Sequence, residues 1–144
     1  MPDAYAEFRL ERIEYKNLNP RQQENYNFHK LAARLADYGY TCLHLSNDWQ
    51  GADLIASHID GDKFHKIQLK GRLVYNRKYE NKEIFVAFFH GTRCFVYPHD
   101  DFKEFALQSG SVDEQSRNWK VNGFREWPKP PKWSIEYLEN YEVH

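Results

Sequence analysis

Asp53, Gln68 and Lys70 place a carboxylate, an amide oxygen and an ammonium in one short stretch of this chain. The first lies in Gly51-Ala52-Asp53-Leu54-Ile55-Ala56, the others in Phe64-His65-Lys66-Ile67-Gln68-Leu69-Lys70-Gly71-Arg72. Both runs are rich in Ile and Leu, and the polar segment Asp60-Gly61-Asp62-Lys63 separates them, which is the pattern of a β-hairpin. Side chains alternate across a strand, so Gln68 and Lys70 share one face while Ile67 and Leu69 take the other. If Asp53 lies on the Gln68 face, two oxygen donors and a cation converge on a common space. No other stretch offers chemistry this specific. The histidines at 44, 58, 65, 90 and 99 have neither HxH nor HExxH spacing, and no glycine-rich phosphate loop or nucleophile elbow is present.

The elements that must hold these residues can be read on either side. Asn19-Pro20 is a helix start, with Asn as N-cap and Pro in the first turn. The helix is expected to run from about Pro20 to Tyr38 and to stop at Gly39. Phe28, Leu31, Ala32, Leu35 and Tyr38 form its apolar stripe, which extends back one turn to Glu24. That carboxylate is either a first-turn acid favoured by the helix dipole or an acid directed at a site. Tyr40 to Leu45 reads as a strand and Ser46 to Gln50 as a loop. After the hairpin, Leu73 to Lys82 is polar and Tyr-rich, either extending the strand or making an excursion. Glu83–Phe89 and Arg93–Tyr97 read as a second hairpin turning at Gly91-Thr92, followed by a short helix from His99 to about Gln108. Met1 to Leu18 is weakly patterned, as strand or helix. Beyond Ser109 the pattern loosens around Trp119, Phe124, Trp127 and Trp133, with a last short helix over Lys132 to Asn140. These aromatics are expected to cover a sheet face or edge. Strands with flanking helices imply an α/β (α+β) domain around a mixed central sheet. The expected organisation is a single domain over 1–144, with a core at about 19–108 and an aromatic, Pro-rich extension at 109–144.

Composition narrows the classes. The chain has 144 residues, 41% hydrophobic and 28% charged, and a formal net charge of −1. That is ordinary for a soluble globular domain and does not by itself mark a nucleic-acid binder. The stretch Lys63 to Lys82 differs, with seven Lys and Arg against the single acid Glu80. No apolar run approaches the ~20 residues that cross a bilayer, and no signal-peptide core is present. Cys42 and Cys94 lack CxxC spacing and read as reduced core thiols, so the expected compartment is the cytoplasm.

Asp53 followed by Gln68-Leu69-Lys70, a D-x14-QxK arrangement, resembles the PD-(D/E)XK nuclease superfamily in its QxK variant. The likeness is to Mrr-type restriction endonucleases and Holliday-junction-resolvase-like cores, and it covers about Asn19 to Tyr97. It implies a restriction-endonuclease-like core and a divalent-metal-dependent endonuclease acting on nucleic acid, DNA in the first instance. Asp53, Gln68, Lys70 and Glu24 would then be catalytic. Asp53, Gln68 and Glu24 would hold Mg²⁺ (or Mn²⁺), and Lys66, Arg72, Arg77 and Lys78 would hold backbone phosphates. A homodimer is implied as well, because a duplex has two strands and the chain offers one site. The chain departs from the family in Ala52, where Pro is usual, and in Gln68, where an acid is usual. It also has a short polar segment where the family places a helix. Gln68 favours the alternative of a catalytically inactive nuclease-fold module that binds nucleic acid or a protein. The three central residues also have plain structural readings: Asp53 ending a turn, Gln68 satisfying buried backbone, and Lys70 guarding a strand edge.

Overall fold

A computed structural model describes residues 8–110, 112–113 and 115–144, without the side chain of Asn118. Residues 1–7 of the weakly patterned N-terminal stretch lie outside it, and Tyr15–Asn17 form a single 3-10 turn. Helix α1 spans Pro20–Ala36. Its start is set by a capping box: the Asn19 side chain accepts from Gln22 N, and the Gln22 side chain accepts from Asn19 N, both at 2.9 Å. The stripe of the sequence is its buried face at Phe28, Leu31 and Leu35, while Tyr38 lies beyond the helix and is exposed.

The strands are β1 (Tyr40–Trp49), β2 (Ala52–His58), β3 (Phe64–Leu69), β4 (Leu73–Asn76), β5 (Ile84–His90) and β6 (Arg93–Pro98). Helices α2 (His99–Gln108) and α3 (Arg117–Asn122), strand β7 (Phe124–Trp127), helix α4 (Lys132–Glu139) and strand β8 (Glu142–Val143) follow. Six strands form one mixed sheet in the order β1-β2-β3-β5-β6-β8. Only β3 and β5 are parallel, and every other pairing is antiparallel. Strands β4 and β7 make a separate two-stranded sheet. This is the expected α+β arrangement of a mixed central sheet flanked by helices.

The two faces of the large sheet carry separate cores. Leu54, Ala56, Ile67, Leu69 and Ala87 pack with Phe28, Leu31 and Leu35 of α1. Val86, Phe88, Phe95 and Tyr97 on the other face pack with β4, α2 and α4. Both cores are dominated by Leu, Ile and aromatic side chains removed from water, the main favourable term in folding.

Several expectations are corrected here. Ser46 to Gln50 is not a loop, because β1 continues to Trp49 and only Gln50-Gly51 turn the chain. Both have positive φ, 50° and 89°, the requirement of a tight two-residue hairpin turn. A Cβ on Gly51 would come within 2.6 Å of Ile84, so glycine is needed there for space as well. Strand β3 ends at Leu69, leaving Lys70 and Arg72 just beyond it. The 109–144 stretch is no mere extension. It supplies β7 to the small sheet, β8 to the edge of the large one, and Trp119 and Leu138 to the core. Local periodicity could not reveal β4, β7 or β8, which are short and are stabilised by partners distant in sequence. Among the described residues no helix is long and apolar enough to cross a membrane, and both cysteines are free.

The segment β4 is locked to the large sheet by one buried hydroxyl. Tyr97 Oη donates to Val74 O at 2.6 Å and accepts from Val74 N at 3.0 Å. Tyr97→Phe leaves both backbone groups unpaired in the core. The expected cost is about 2–4 kcal/mol, read as a fall of roughly 5–15 °C in Tm by thermal denaturation.

Candidate functional site

Asp53 sits where regular pairing fails on both sides of its strand. Between β1 and β2 the register runs His44↔Leu54 and then Trp49↔Ala52, so residues 45–48 of β1 face Asp53 alone. An irregularity of this kind bends a strand and re-aims side chains, and such bulges are common beside functional sites. On the other side, the β2–β3 ladder stops at Leu54↔Ile67, one step short of Asp53 and Gln68. With ladder partners missing, the Asp53 carboxylate turns toward β3, where Oδ2 accepts from Leu69 N at 3.0 Å.

Gln68 is the next position along the same register, cross-strand from Asp53. It is 9% exposed, and no described group hydrogen-bonds its amide. Among the described residues it therefore satisfies no buried backbone group. Its pairing with Val86 of β5 places it on the face away from α1. Lys70 follows, its backbone N still bonded to Ala87 O at 2.9 Å. Its ammonium lies 5.6 Å from the centre of the Tyr79 ring. The Lys78 ammonium meets the same ring at 5.1 Å. Lys70 has no ion-pair partner among the described residues.

Electrostatics tie these groups together. Burial pushes the Asp53 carboxyl above its usual range, and the charges of Glu24 and Asp48 push the same way, while the Leu69 N–H and Lys70 act against them. Burial pushes the Lys70 ammonium down, the Lys78 charge adds to this, and Asp53 opposes it. Burial also raises the Tyr79 phenol, helped by Asp53 and Asp48. Each charged form is disfavoured where it stands, a state that clusters at sites selected for something other than stability.

Glu24 is not gathered in with the others. It is exposed, and its Oε1 lies 3.3 Å from Nε2 of His44. His44 stacks on Phe28, with ring centres 4.5 Å apart, on the α1 side of the sheet. Its charge reaches Asp53, but its carboxylate is held by another partner. Among the described residues no three His, Cys, Asp or Glu side chains form a ready metal cluster.

Two participants escape the sequence reading. Asp48 falls in the stretch expected to be a loop, yet it lies opposite Asp53 in the β1 irregularity; Asn47-Asp48 just ahead of a Gln-Gly turn is the available signal. Tyr79 was one tyrosine in a Tyr-rich segment, and no sequence signal singled it out. Of the proposed phosphate contacts, Lys66 bends over Trp49, 5.9 Å from its ring centre, and Lys78 sits beside Lys70. Arg72 pairs with Glu126 at 3.3 Å on the surface. Arg77 is committed elsewhere: its guanidinium donates to Trp119 O at 2.7 Å and covers the Trp119 ring, pinning α3.

The donor set is chemically suited to a hard divalent cation. Asp53 offers carboxylate oxygen and Gln68 its amide oxygen, the acid feels the negative charges of Glu24 and Asp48, and the Gln68 amide has no hydrogen-bond partner among the described residues. Mg²⁺ needs only one or two carboxylates and completes its shell with water and phosphate oxygens.

No family model and no curated protein sequence matches the chain. Its structure is similar to that of a bacterial homing endonuclease, I-Ssp6803I, with a TM-score of 0.50 and 15% identity over 87% of this chain and 87% of that one. A Holliday junction resolvase, Hjc of Archaeoglobus fulgidus, matches at a TM-score of 0.44 and 15% identity, over 53% of this chain and 72% of that chain. At this identity the likeness to the homing endonuclease is one of fold.

Proposed function

We propose that this chain is a divalent-metal-dependent endonuclease of the PD-(D/E)XK type in its QxK form, acting on DNA. The observation that carries the reading is the splayed β2–β3 end. There an Asp53 carboxylate disfavoured by burial and by like charge lies cross-strand from Gln68, which is largely buried and has no hydrogen-bond partner among the described residues, with the desolvated Lys70 ammonium next along. The fold shared with a homing endonuclease supports it.

In this reading Asp53 and Gln68 hold Mg²⁺ (or Mn²⁺), and Glu24 and Asp48 contribute charge from outside. When bound, the ion supplies positive charge that stabilises the charge developing on the phosphodiester. Leu69 N fixes one Asp53 oxygen, which leaves the other for the ligand role. Lys70, supported by the Tyr79 ring, presents its ammonium to the phosphate or its attacking water. Lys66 and Lys78, with Arg72 behind them, meet neighbouring phosphates without reading sequence. One site per chain serves one strand, so cleavage of a duplex calls for a homodimer.

The test is purified protein with plasmid, linear duplex and branched DNA in Mg²⁺ or Mn²⁺. The expected result is cleavage that stops on adding EDTA, together with DNA affinity that falls steeply as salt rises. Two observations keep a second reading in play: the acid replaced by Gln68, and Glu24 bound to His44. Both lower metal affinity, as expected of a binding module without catalysis. Calorimetric titration separates the readings: Mn²⁺ binding that Asp53→Asn removes supports the enzyme, and no binding supports the module.

A further inference from the structure

Between α1 and the β5–β6 turn lies a cavity of about 470 Å³ that shares Lys70 with the site above. That size is within the ~300–1,000 Å³ of small-ligand sites. One wall is aromatic, made by Tyr15, Tyr26 and Phe89, Lys30 and Arg34 bring cations to it, and Lys70 stands at its edge. No acid among the described residues lines it.

The aromatic wall is built in advance. Tyr15 Oη accepts from Asn27 Nδ2 at 2.8 Å, and Tyr15 O accepts from Gln23 Nε2 at 3.3 Å, so the segment ahead of α1 is pinned onto the helix. The Tyr15 and Tyr26 rings meet edge to face with centres 5.3 Å apart. Both remain well exposed, at 40% and 38%. Two large polar-tipped rings held in fixed geometry with open faces are poor core and a good stacking surface. The Lys30 ammonium lies 5.3 Å from the centre of the Tyr26 ring and has no acidic partner among the described residues. Arg34 is oriented by donating to Val143 O and Thr92 O, and it covers Phe89.

An aromatic platform flanked by cations without an acidic partner among the described residues matches a base joined to a phosphate. A paired duplex hides its base faces in the stack and cannot offer one to Tyr26. An unpaired nucleotide can, and stacking of this kind tolerates any base. We propose that this cavity receives one unpaired nucleotide of the substrate strand, its base against Tyr26 and Tyr15 and its phosphate against Lys30, with Lys70 at the cavity's edge. The substrate class is thus DNA with an unpaired nucleotide beside the scissile bond: a gap, a flap or a branch. This rests on the reading above in that Lys70 places the cavity next to the reacting phosphate.

The test uses the full chain in EDTA, so that no DNA is cut. Fluorescence anisotropy compares a fully paired duplex with the same duplex carrying a short gap, with 2-aminopurine as the first unpaired base. Expected are tighter binding of the gapped DNA by about tenfold, quenching of the 2-aminopurine, and loss of both in Tyr26→Ala. Lys30→Ala should also lose the preference, whereas Tyr26→Trp should keep it. Affinity for the paired duplex should change less than about twofold in the Tyr26 variants, because stacking on an unpaired base is the contact they alter. Equal affinity for the two DNAs, an unquenched base, or a Tyr26→Ala loss shared equally by both DNAs overturns the proposal. So does a free mononucleotide that competes as well as gapped DNA. Gap preference in a protein that cuts nothing with any metal would remove the nuclease reading and keep the cavity's role; cutting without gap preference would do the reverse.

Discussion

Asp53→Asn is expected to lower metal-dependent cleavage by at least about 10³-fold while leaving the fold at least as stable. The activity loss follows from removing the one carboxylate that the proposed ion has close at hand, since such an ion contributes several kcal/mol to the transition state. The stability half follows from linkage. The folded-state pKa of Asp53 lies above its ordinary value of 3.8. The native state therefore binds more protons than the unfolded one in the window between the two values. Stability falls as pH rises through that window and stays reduced above it. A neutral Asn avoids this loss and can still accept from Leu69 N. Single-turnover cleavage on one side, and Tm at pH 7 on the other, check the two halves. A variant that loses activity only because it unfolds would show a lowered Tm and would defeat the argument.

Lys70→Met is expected to reduce kcat by about 10²–10⁴-fold, the range of a positioned proton-transfer or charge-stabilising group. Here too stability moves against activity. The Lys70 pKa is lowered, first by burial and then by Lys78. Between its folded value and the ordinary 10.5, the unfolded chain binds more protons, so stability rises with pH across that window. At pH 7 the charged ammonium is therefore a burden on the fold, and Met, of similar length and without charge, relieves it. Tm should hold or rise in Lys70→Met. Removing the like charge in Lys78→Ala should move the Lys70-dependent limb of the pH–rate profile to higher pH. A profile that stays in place would show that Lys70 does not titrate in the reaction.

These two residues attract each other, each favouring the other's charged form, yet neither is brought back to its ordinary range. Trading stability for a charged, partly dry site is the usual signature of function over folding. By contrast, Tyr97 and His99 show what a structural polar group looks like in the same protein. His99 accepts from Asn76 N at 2.8 Å through Nε2 and meets Asp100 at 2.9 Å through Nδ1. Every polar atom of that imidazole is used, whereas no described group binds the Gln68 amide.

Those differences mark the limit of what could be read in advance. The amino-acid sequence by itself determined α1, through the Asn19-Pro20 cap and a stripe of period 3.6; the β2–β3 hairpin, through alternation around a polar turn; and α2, through its start after Pro98. It also placed Asp53 and Gln68 on neighbouring strands, because a hairpin makes near sequence neighbours into spatial ones. The tertiary structure alone decided that β1 bulges opposite Asp53, bringing Asp48 into range. It also decided that Glu24 is held by His44 on the α1 side and that the last 36 residues complete both sheets. The physical reason is one of range. Caps, turns and periodicity act over a few residues and are written locally. Register breaks and late strand pairings depend on which distant backbone and side-chain groups remain unpaired once the sheet has formed.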